Sequence, residues 1–211
     1  MSLRPALRVD YPFIRSLAQR PDYAPFITDE DEARLAFYAA DAAHRLLIWE
    51  DAAVPAGFAL FADVGAPSGT VELRRLALDK AGKGSGLGFV RALTGHAFQT
   101  LGAARVWLDA SGENPRAQTV YERAGYTLEG RLRAHWFRPT LGRNVDVMLY
   151  GMLRAEWSGS GDAGCWGGLS DGAAAAAGPP AAWRAKAPRQ PTCCAARRAA
   201  WCATRWICAR W

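Results

Sequence analysis

The sequence predicts a mixed α/β fold: one domain over residues 1–157, a mixed sheet carrying helices on its faces, followed by a tail over residues 158–211. Three observations predict it. Runs of β-forming residues alternate with stretches whose apolar residues recur at helical spacing, in the order β-α-α-β-β-β-α-β-α-β-β. Half of the 211 residues are hydrophobic, enough for one core. After Trp157 the supply of core formers stops, Leu169 and Ile207 being the only later members of the Leu, Ile, Val, Met and Phe group.

The first element is a short strand over residues 6–9, followed by Asp10 as a helix cap and by Phe13, Ile14 and Leu17 on one face of a first helix. Thr28 precedes Asp29, Glu30, Asp31 and Glu32, acids that complement the positive end of a helix, and Leu35, Phe37 and Tyr38 continue a second helix. Residues 45–50 and 57–63 flank the turn-type segment 51–55, which is hairpin spacing. A further strand over residues 71–78 leads through a glycine-rich segment into a third helix, on which Leu87, Val90, Leu93, Ala97 and Leu101 keep the helical period. Gly102 stops that helix, and residues 105–109 form a short strand. Asn114 and Pro115 supply an N-cap and a first-turn proline for a fourth helix, which reaches Ala124 and ends at Gly125. Residues 126–133 and 145–153 are the closing strands.

The formal net charge of +6 does not describe the domain, because seven Lys/Arg and only two acidic residues lie beyond Trp157. Residues 1–157 carry 19 basic and 18 acidic residues, a balance without the basic face that a specific nucleic-acid partner needs. All five cysteines, Cys165, Cys193, Cys194, Cys202 and Cys208, also fall in the tail, so the domain is expected to hold neither a disulfide framework nor a thiolate metal site. His44, His96 and His135 are scattered and form no metal-ligand pattern. The N-terminus lacks the apolar run of a signal peptide and no stretch is long enough to span a bilayer, which points to a cytoplasmic chain with no membrane partner. The tail, dominated by Gly, Ala, Pro, Arg, Trp and Cys, reads as disordered.

The segment LALDKAGKGSGLGFVRAL places Gly82, Gly84, Gly86 and Gly88 between a strand and a helix. Glycine there permits positive φ, leaves room for a close ligand and exposes amide groups at the positive end of the helix, an arrangement suited to an anion. Two other phosphate motifs fail. The dinucleotide fingerprint would need glycine where Leu87 or Phe89 stands, and the Walker loop lacks its Gly-Lys-Ser/Thr ending. A flexible turn with tight helix packing is the remaining reading of this segment alone.

Downstream stands Asn114-x-Arg116-Ala117-x-x-Val120-Tyr121-Glu122-x-x-Gly125-Tyr126. Paired with Gly82-Lys83-Gly84-Ser85-Gly86, it resembles the two signature motifs of the GNAT acetyltransferase superfamily, over residues 3 to 157. One departure is Ala81, where the family's R/Q-x-x-G-x-G/A motif has Arg or Gln; Lys80 or Lys83 then supplies the positive charge, and a shift of two residues puts Lys83 in that place. The resemblance implies a single domain with a mostly antiparallel mixed sheet, helices on both faces, and acetyl-CoA as cosubstrate. By the same resemblance the main chain of Leu76, Ala77 and Leu78 lies along the pantetheine arm, and the amides of Lys83, Gly84, Ser85, Gly86 and Leu87 hold the pyrophosphate. Asn114 either binds the pantetheine or only caps its helix. Tyr121 is either the general acid for the departing CoA thiolate or a core aromatic.

Making an amide from a thioester requires a neutral amine, a polarised carbonyl and a path for two protons. Glu72, on the strand before the glycine turn, is the first candidate base; equally, it is a strand residue paired to Arg74 or Arg75. His135 is the second candidate base. The acceptor is expected to be chosen by the two N-terminal helices, the loop 65–69 and the strands around residues 135–143. The acids at positions 29–32 either attract a cationic amine or complement a helix dipole. The expected activity is transfer of acetyl from acetyl-CoA to a primary amine of a small molecule or protein, without a metal; the family resemblance is compatible with a homodimer. Two alternatives stay open, a non-catalytic acyl-CoA sensor and a nucleotide-binding module built on the glycine turn.

Overall fold

The computed structural model describes residues 1–80 and 85–159. Its elements are β1 (Ser2–Pro5), α1 (Tyr11–Ala18), α2 (Glu32–Ala40), β2 (Arg45–Asp51), β3 (Val54–Ala62), β4 (Thr70–Leu78), α3 (Ser85–Gln99), β5 (Arg105–Ser111), α4 (Pro115–Ala124), β6 (Thr127–Arg138) and β7 (Arg143–Leu153). The order is the one expected from the hydrophobic pattern. Lys83, Gly84 and the tail, on which several expectations rest, lie outside the described residues.

Seven strands form one sheet in the order β1-β2-β3-β4-β5-β7-β6, antiparallel except for β4 beside β5. That parallel pair is joined through α3, as a parallel connection requires a crossover. Alternation along the strands sends side chains to two cores. Leu46, Ile48, Phe58, Leu60 and Ala77 pack against Ile14 and Leu17 of α1 and Leu35 and Tyr38 of α2. On the opposite face Leu47, Trp49, Ala59, Phe61, Leu73 and Leu108 meet Phe89, Val90, Leu93 and Phe98 of α3 and Tyr121 of α4. The sheet is therefore sandwiched, with the cofactor-motif helices on one side and the N-terminal helices on the other.

Several boundaries differ from expectation: β6 runs on to Arg138 rather than ending at residue 133, and β3 begins at Val54, within the expected turn. The first strand covers Ser2–Pro5 rather than residues 6–9, because it pairs with β2 from Ser2 opposite Glu50 to Pro5 opposite Leu47. Residues 8–10 instead form a single 3-10 turn, stabilised by the Asp10 carboxylate, which accepts from Leu7 N–H at 2.7 Å and from Arg4 at 2.7 and 2.9 Å. Helix α2 starts at Glu32, not directly after Thr28, since Asp31 is the residue that accepts the Arg34 amide as N-cap. Asp29 pairs with Arg15 at 3.0 Å and Glu30 with Arg75 at 2.7 Å, so both acids are drawn back onto the body of the domain.

Two features shape the centre of the sheet. The register between β3 and β4 shifts so that Leu60 faces Arg75 and Phe61 faces Leu73, leaving Arg74 as an extra residue that bends β4. Gly57 is required by close packing there: a Cβ would lie 2.6 Å from the Ala77 carbonyl oxygen.

Candidate active site

Strands β4 and β5 pair only at their starts, Thr70, Val71 and Glu72 opposite Arg105, Val106 and Trp107. Beyond this point β4 continues to Leu78 against β3, and β5 continues to Ser111 against β7, with no bridge between them. The bulge at Arg74 lies just past the last shared pair, and from there the two inner edges diverge into a V-shaped opening.

The edge of β4 facing that opening can be assigned. Leu78 N–H donates to the Tyr23 hydroxyl at 3.1 Å and the hydroxyl donates to Leu78 C=O at 2.9 Å, whereas Asp79 N–H turns the other way, to Ala56 C=O on the β3 side. Alternation in an antiparallel pair then directs the peptide groups of Leu76 into the opening and those of Ala77 toward Phe58 of β3. Of the three residues expected to offer main-chain groups to pantetheine, Leu76 does so freely, Leu78 does so with Tyr23 already in place, and Ala77 does not. A ligand with amide groups along an extended arm fits such an edge as an added strand would.

Helix α3 begins at Ser85, half-buried together with Gly86 and Leu87, and its first-turn amides have no partner within the helix. The Ser85 hydroxyl donates to Lys80 C=O at 3.2 Å, closing the turn from β4. A helix of this length ends its dipole there, a suitable seat for a diphosphate. Across the opening, Asn114 follows β5. Its Oδ1 accepts Ala117 N–H at 3.1 Å, so the capping role is realised, followed by Pro115 in the first turn. Gln118 holds the loop by donating to Ser111 and Gly112 carbonyls.

Tyr121 projects from α4 and is 7% exposed, in a ring cluster with Tyr126 and Tyr150. The other two hydroxyls are engaged, Tyr126 with Thr94 at 2.8 Å and Tyr150 with Glu122 at 3.1 Å. The Tyr121 hydroxyl alone makes no hydrogen bond among the described residues. Burial, with the Asp109 charge on β5 adding to it, pushes the Tyr121 phenol well above the ordinary tyrosine range. Tyr23, on the β4 side, also acts on it. The phenol is thus held in its protonated form between the two diverging strands.

Glu72 sits at the last shared β4–β5 pair and is 1% exposed. Its Oε2 accepts from Arg74 Nη2 at 2.6 Å and Nε at 3.0 Å. Arg74 Nη1 lies 3.4 Å from His44 Nε2, and His44 Nδ1 is 2.5 Å from Asp41. The pairing with Arg74 is therefore present, and Glu72 belongs to a charged chain reaching α2 rather than standing alone at the opening. His135 is exposed, in a wide bulge of β6 where residues 133–135 face Asp146. Among the described residues no group of three or more His, Cys, Asp or Glu is arranged to hold a metal, and no helix is long and apolar enough to cross a membrane.

On the face of the N-terminal helices, a shallow cleft is lined by Ile14, Asp29, Glu30, Tyr38 and Arg75 among others. Of the four acids at positions 29–32 three are committed internally, Asp29 to Arg15 and Gln19, Glu30 to Arg75, and Asp31 to the α2 cap. Sequence reasoning missed Tyr23 and Arg138. Tyr23 lies in a turn and Arg138 at the end of β6, and neither periodicity nor motif spacing marks either side chain.

A family model described as the acetyltransferase (GNAT) domain matches residues 1–127. Solved structures with the same fold include spermidine N-acetyltransferase from Vibrio cholerae in complex with CoA and spermine, at 23% identity and a TM-score of 0.66, covering 74% of this chain and 96% of that one. A dodecameric structure of the Vibrio cholerae enzyme in an intermediate state aligns at 24% identity and a TM-score of 0.63, covering 74% and 95%. A single-residue variant of that enzyme aligns at 27% identity and a TM-score of 0.58, covering 72% and 95%.

Proposed function

Because the chain belongs to the GNAT acetyltransferase family, we propose that it transfers the acetyl group of acetyl-CoA to a primary amine, with residues 1–157 as the catalytic unit. The observation that carries the reading is the Tyr121 hydroxyl: the residue is 7% exposed, and its oxygen makes no hydrogen bond among the described residues while its two neighbours are bonded. A phenol on a largely buried ring, with its hydroxyl uncommitted to the protein, is available to a ligand.

In this reading the Leu76 peptide positions the pantetheine arm and the first-turn amides of α3, from Ser85 to Leu87, neutralise the pyrophosphate. Acetyl-CoA supplies the activated acyl group. The neutral amine attacks the thioester carbonyl, the C–S bond breaks once the C–N bond has formed, and Tyr121, kept protonated, gives its hydrogen to the departing sulfur and is reprotonated by the second proton lost from the amide nitrogen. Glu72 withdraws the proton of the acceptor ammonium through water, with Arg74 orienting its carboxylate. The protein otherwise contributes positioning, which alone lowers the barrier substantially when two reactants are held in line.

The test is an acceptor panel containing amino acids, peptides, aminoglycosides and polyamines, incubated with acetyl-CoA and the full chain. Acetylated product is followed by mass spectrometry, because the tail cysteines would react with thiol reagents. Thermal melts with acetyl-CoA, ATP and NAD accompany it, since only a ligand of the native state raises the midpoint. Stabilisation by a nucleotide and none by acetyl-CoA would overturn the proposal.

A further inference from the structure

Among the described residues Arg138 is the one arginine buried to the level of the core, at 4% exposure. It ends β6, with its Cζ 4.0 Å from the centroid of the Trp136 ring. Nη2 donates to the Ala24 carbonyl at 2.8 Å, while Nε is buried and makes no hydrogen bond. The edge formed by Nε and Nη2 is the one that Arg15, Arg20 and Arg74 present to the carboxylates of Asp29, Asp22 and Glu72. At Arg138 that edge meets one neutral carbonyl, and no carboxylate of the described residues stands near it.

A buried cation without an anion destabilises a fold, and an apolar residue of the same volume would serve packing better. Burial pushes the Arg138 pKa down, yet a guanidinium keeps its proton throughout the accessible pH range, so the charge is present and meets no anion among the described residues. The backbone is shaped to bring it inward. The bulge at residues 133–135, with Ala134 at φ 47° and its N–H held by Asp146 at 2.7 Å, re-aims the exposed strand so that Arg138 enters the body of the domain. Its contact, Ala24, adjoins Tyr23, the residue whose hydroxyl holds Leu78 at the mouth of the opening. Meanwhile the nearby acids that would serve a polycation, Asp29, Glu30 and Asp31, are already paired.

We infer that Arg138 is a specificity-determining residue that receives a carboxylate carried by the acceptor, so that the amine acetylated here belongs to the amino-acid or peptide class rather than to the polyamines. The inference rests on the proposed acetyl transfer. A planar carboxylate fills the open Nε–Nη2 edge in the bidentate manner that a carbonyl cannot. Trp136 holds the guanidinium plane in place for it.

Acceptor pairs that differ only in the carboxylate decide the matter: lysine against cadaverine, alanine against ethylamine, and a dipeptide against its C-terminal amide, with spermidine alongside. On the full chain, the carboxylate member of at least one pair is expected to be favoured about 10- to 150-fold in kcat/KM, the range for a hydrogen bond to a charged group. Arg138→Met should cancel that preference by raising KM for the carboxylate acceptor alone, and Arg138→Lys should restore part of it; melting curves check that both remain folded. Equal turnover of the paired acceptors by the unaltered chain, or equal losses on both members in Arg138→Met, would overturn the inference. Should no amine be acetylated, the proposed function fails by itself. Calorimetric titration with N-acetyllysine and N-acetylcadaverine then decides the role of Arg138: binding of the first alone, abolished in Arg138→Met, upholds it, and any other pattern overturns it.

Discussion

Replacing Tyr121 by Phe removes one oxygen and leaves the ring cluster intact. That oxygen has no hydrogen-bond partner among the described residues, so its loss breaks nothing in the unliganded fold. Tyr121→Phe is therefore expected to stay within about 0.5 kcal/mol of the unaltered chain in stability. For a domain of this size each kcal/mol is worth about 2–4 °C in Tm. Tyr126→Phe is the control. It breaks the 2.8 Å bond to Thr94, whose hydroxyl keeps its bond to the Val90 carbonyl, and should cost about 1 kcal/mol. Activity should rank the other way: loss of a general acid lowers kcat about 10²- to 10⁴-fold, while Tyr126→Phe should hold its rate. Because burial raises the Tyr121 pKa, the phenol stays protonated as pH climbs, and kcat should show no decline from its ionisation between about pH 7 and 10. Scanning calorimetry and steady-state kinetics with acetyl-CoA measure both rankings. A Tyr121→Phe enzyme turning over within threefold of the parent would refute the assignment of the acid and favour the acyl-CoA sensor.

Asn114→Asp keeps the oxygen that caps α4 but discards the amide NH2, so stability should change by less than about 0.5 kcal/mol while KM for acetyl-CoA rises about tenfold; an unchanged KM would reduce Asn114 to its capping role. The Arg4 hydrogen bonds hold the Asp10 carboxyl below its ordinary range against the opposing effect of burial, with Leu7 N–H assisting. A depressed native pKa stabilises the fold above the unfolded value and loses that contribution as pH falls through the acidic range. Urea midpoints of the parent and Asp10→Asn should thus differ by about 1–3 kcal/mol at pH 6 and converge toward pH 3, and a difference independent of pH would contradict the ion-pair account.

The helical elements differ in how openly the sequence declares them. Helix α4 begins at Asn114 and Pro115 and ends at Gly125, which adopts φ 100°, and its limits agree with the sequence reading because cap, proline and glycine act within a few residues of each other. The N-terminal elements were displaced by contacts that no local pattern displays. The Asp10 carboxylate draws residues 7–10 into a turn, and ion pairs to Arg15 and Arg75 keep Asp29 and Glu30 out of α2. The same contrast runs through the site. Tyr121 and Asn114 are framed by two motifs in fixed register, whereas the contacts of Tyr23 with Leu78 and of Arg138 with Ala24 join residues far apart in the chain.

What the sequence determined alone was the succession of elements, their amphipathic faces and the two motifs around β4–α3 and β5–α4, all consequences of interactions within a few residues of each other. Tertiary structure decided the rest: where β4 parts from β5, that Leu76 rather than Ala77 presents its peptide to the opening, that Glu72 is bound to Arg74, and that Arg138 is buried with no carboxylate partner among the described residues. Strand register, bulges and charge pairing join residues tens of positions apart. Their energies depend on burial and distance, which exist only once the chain has folded.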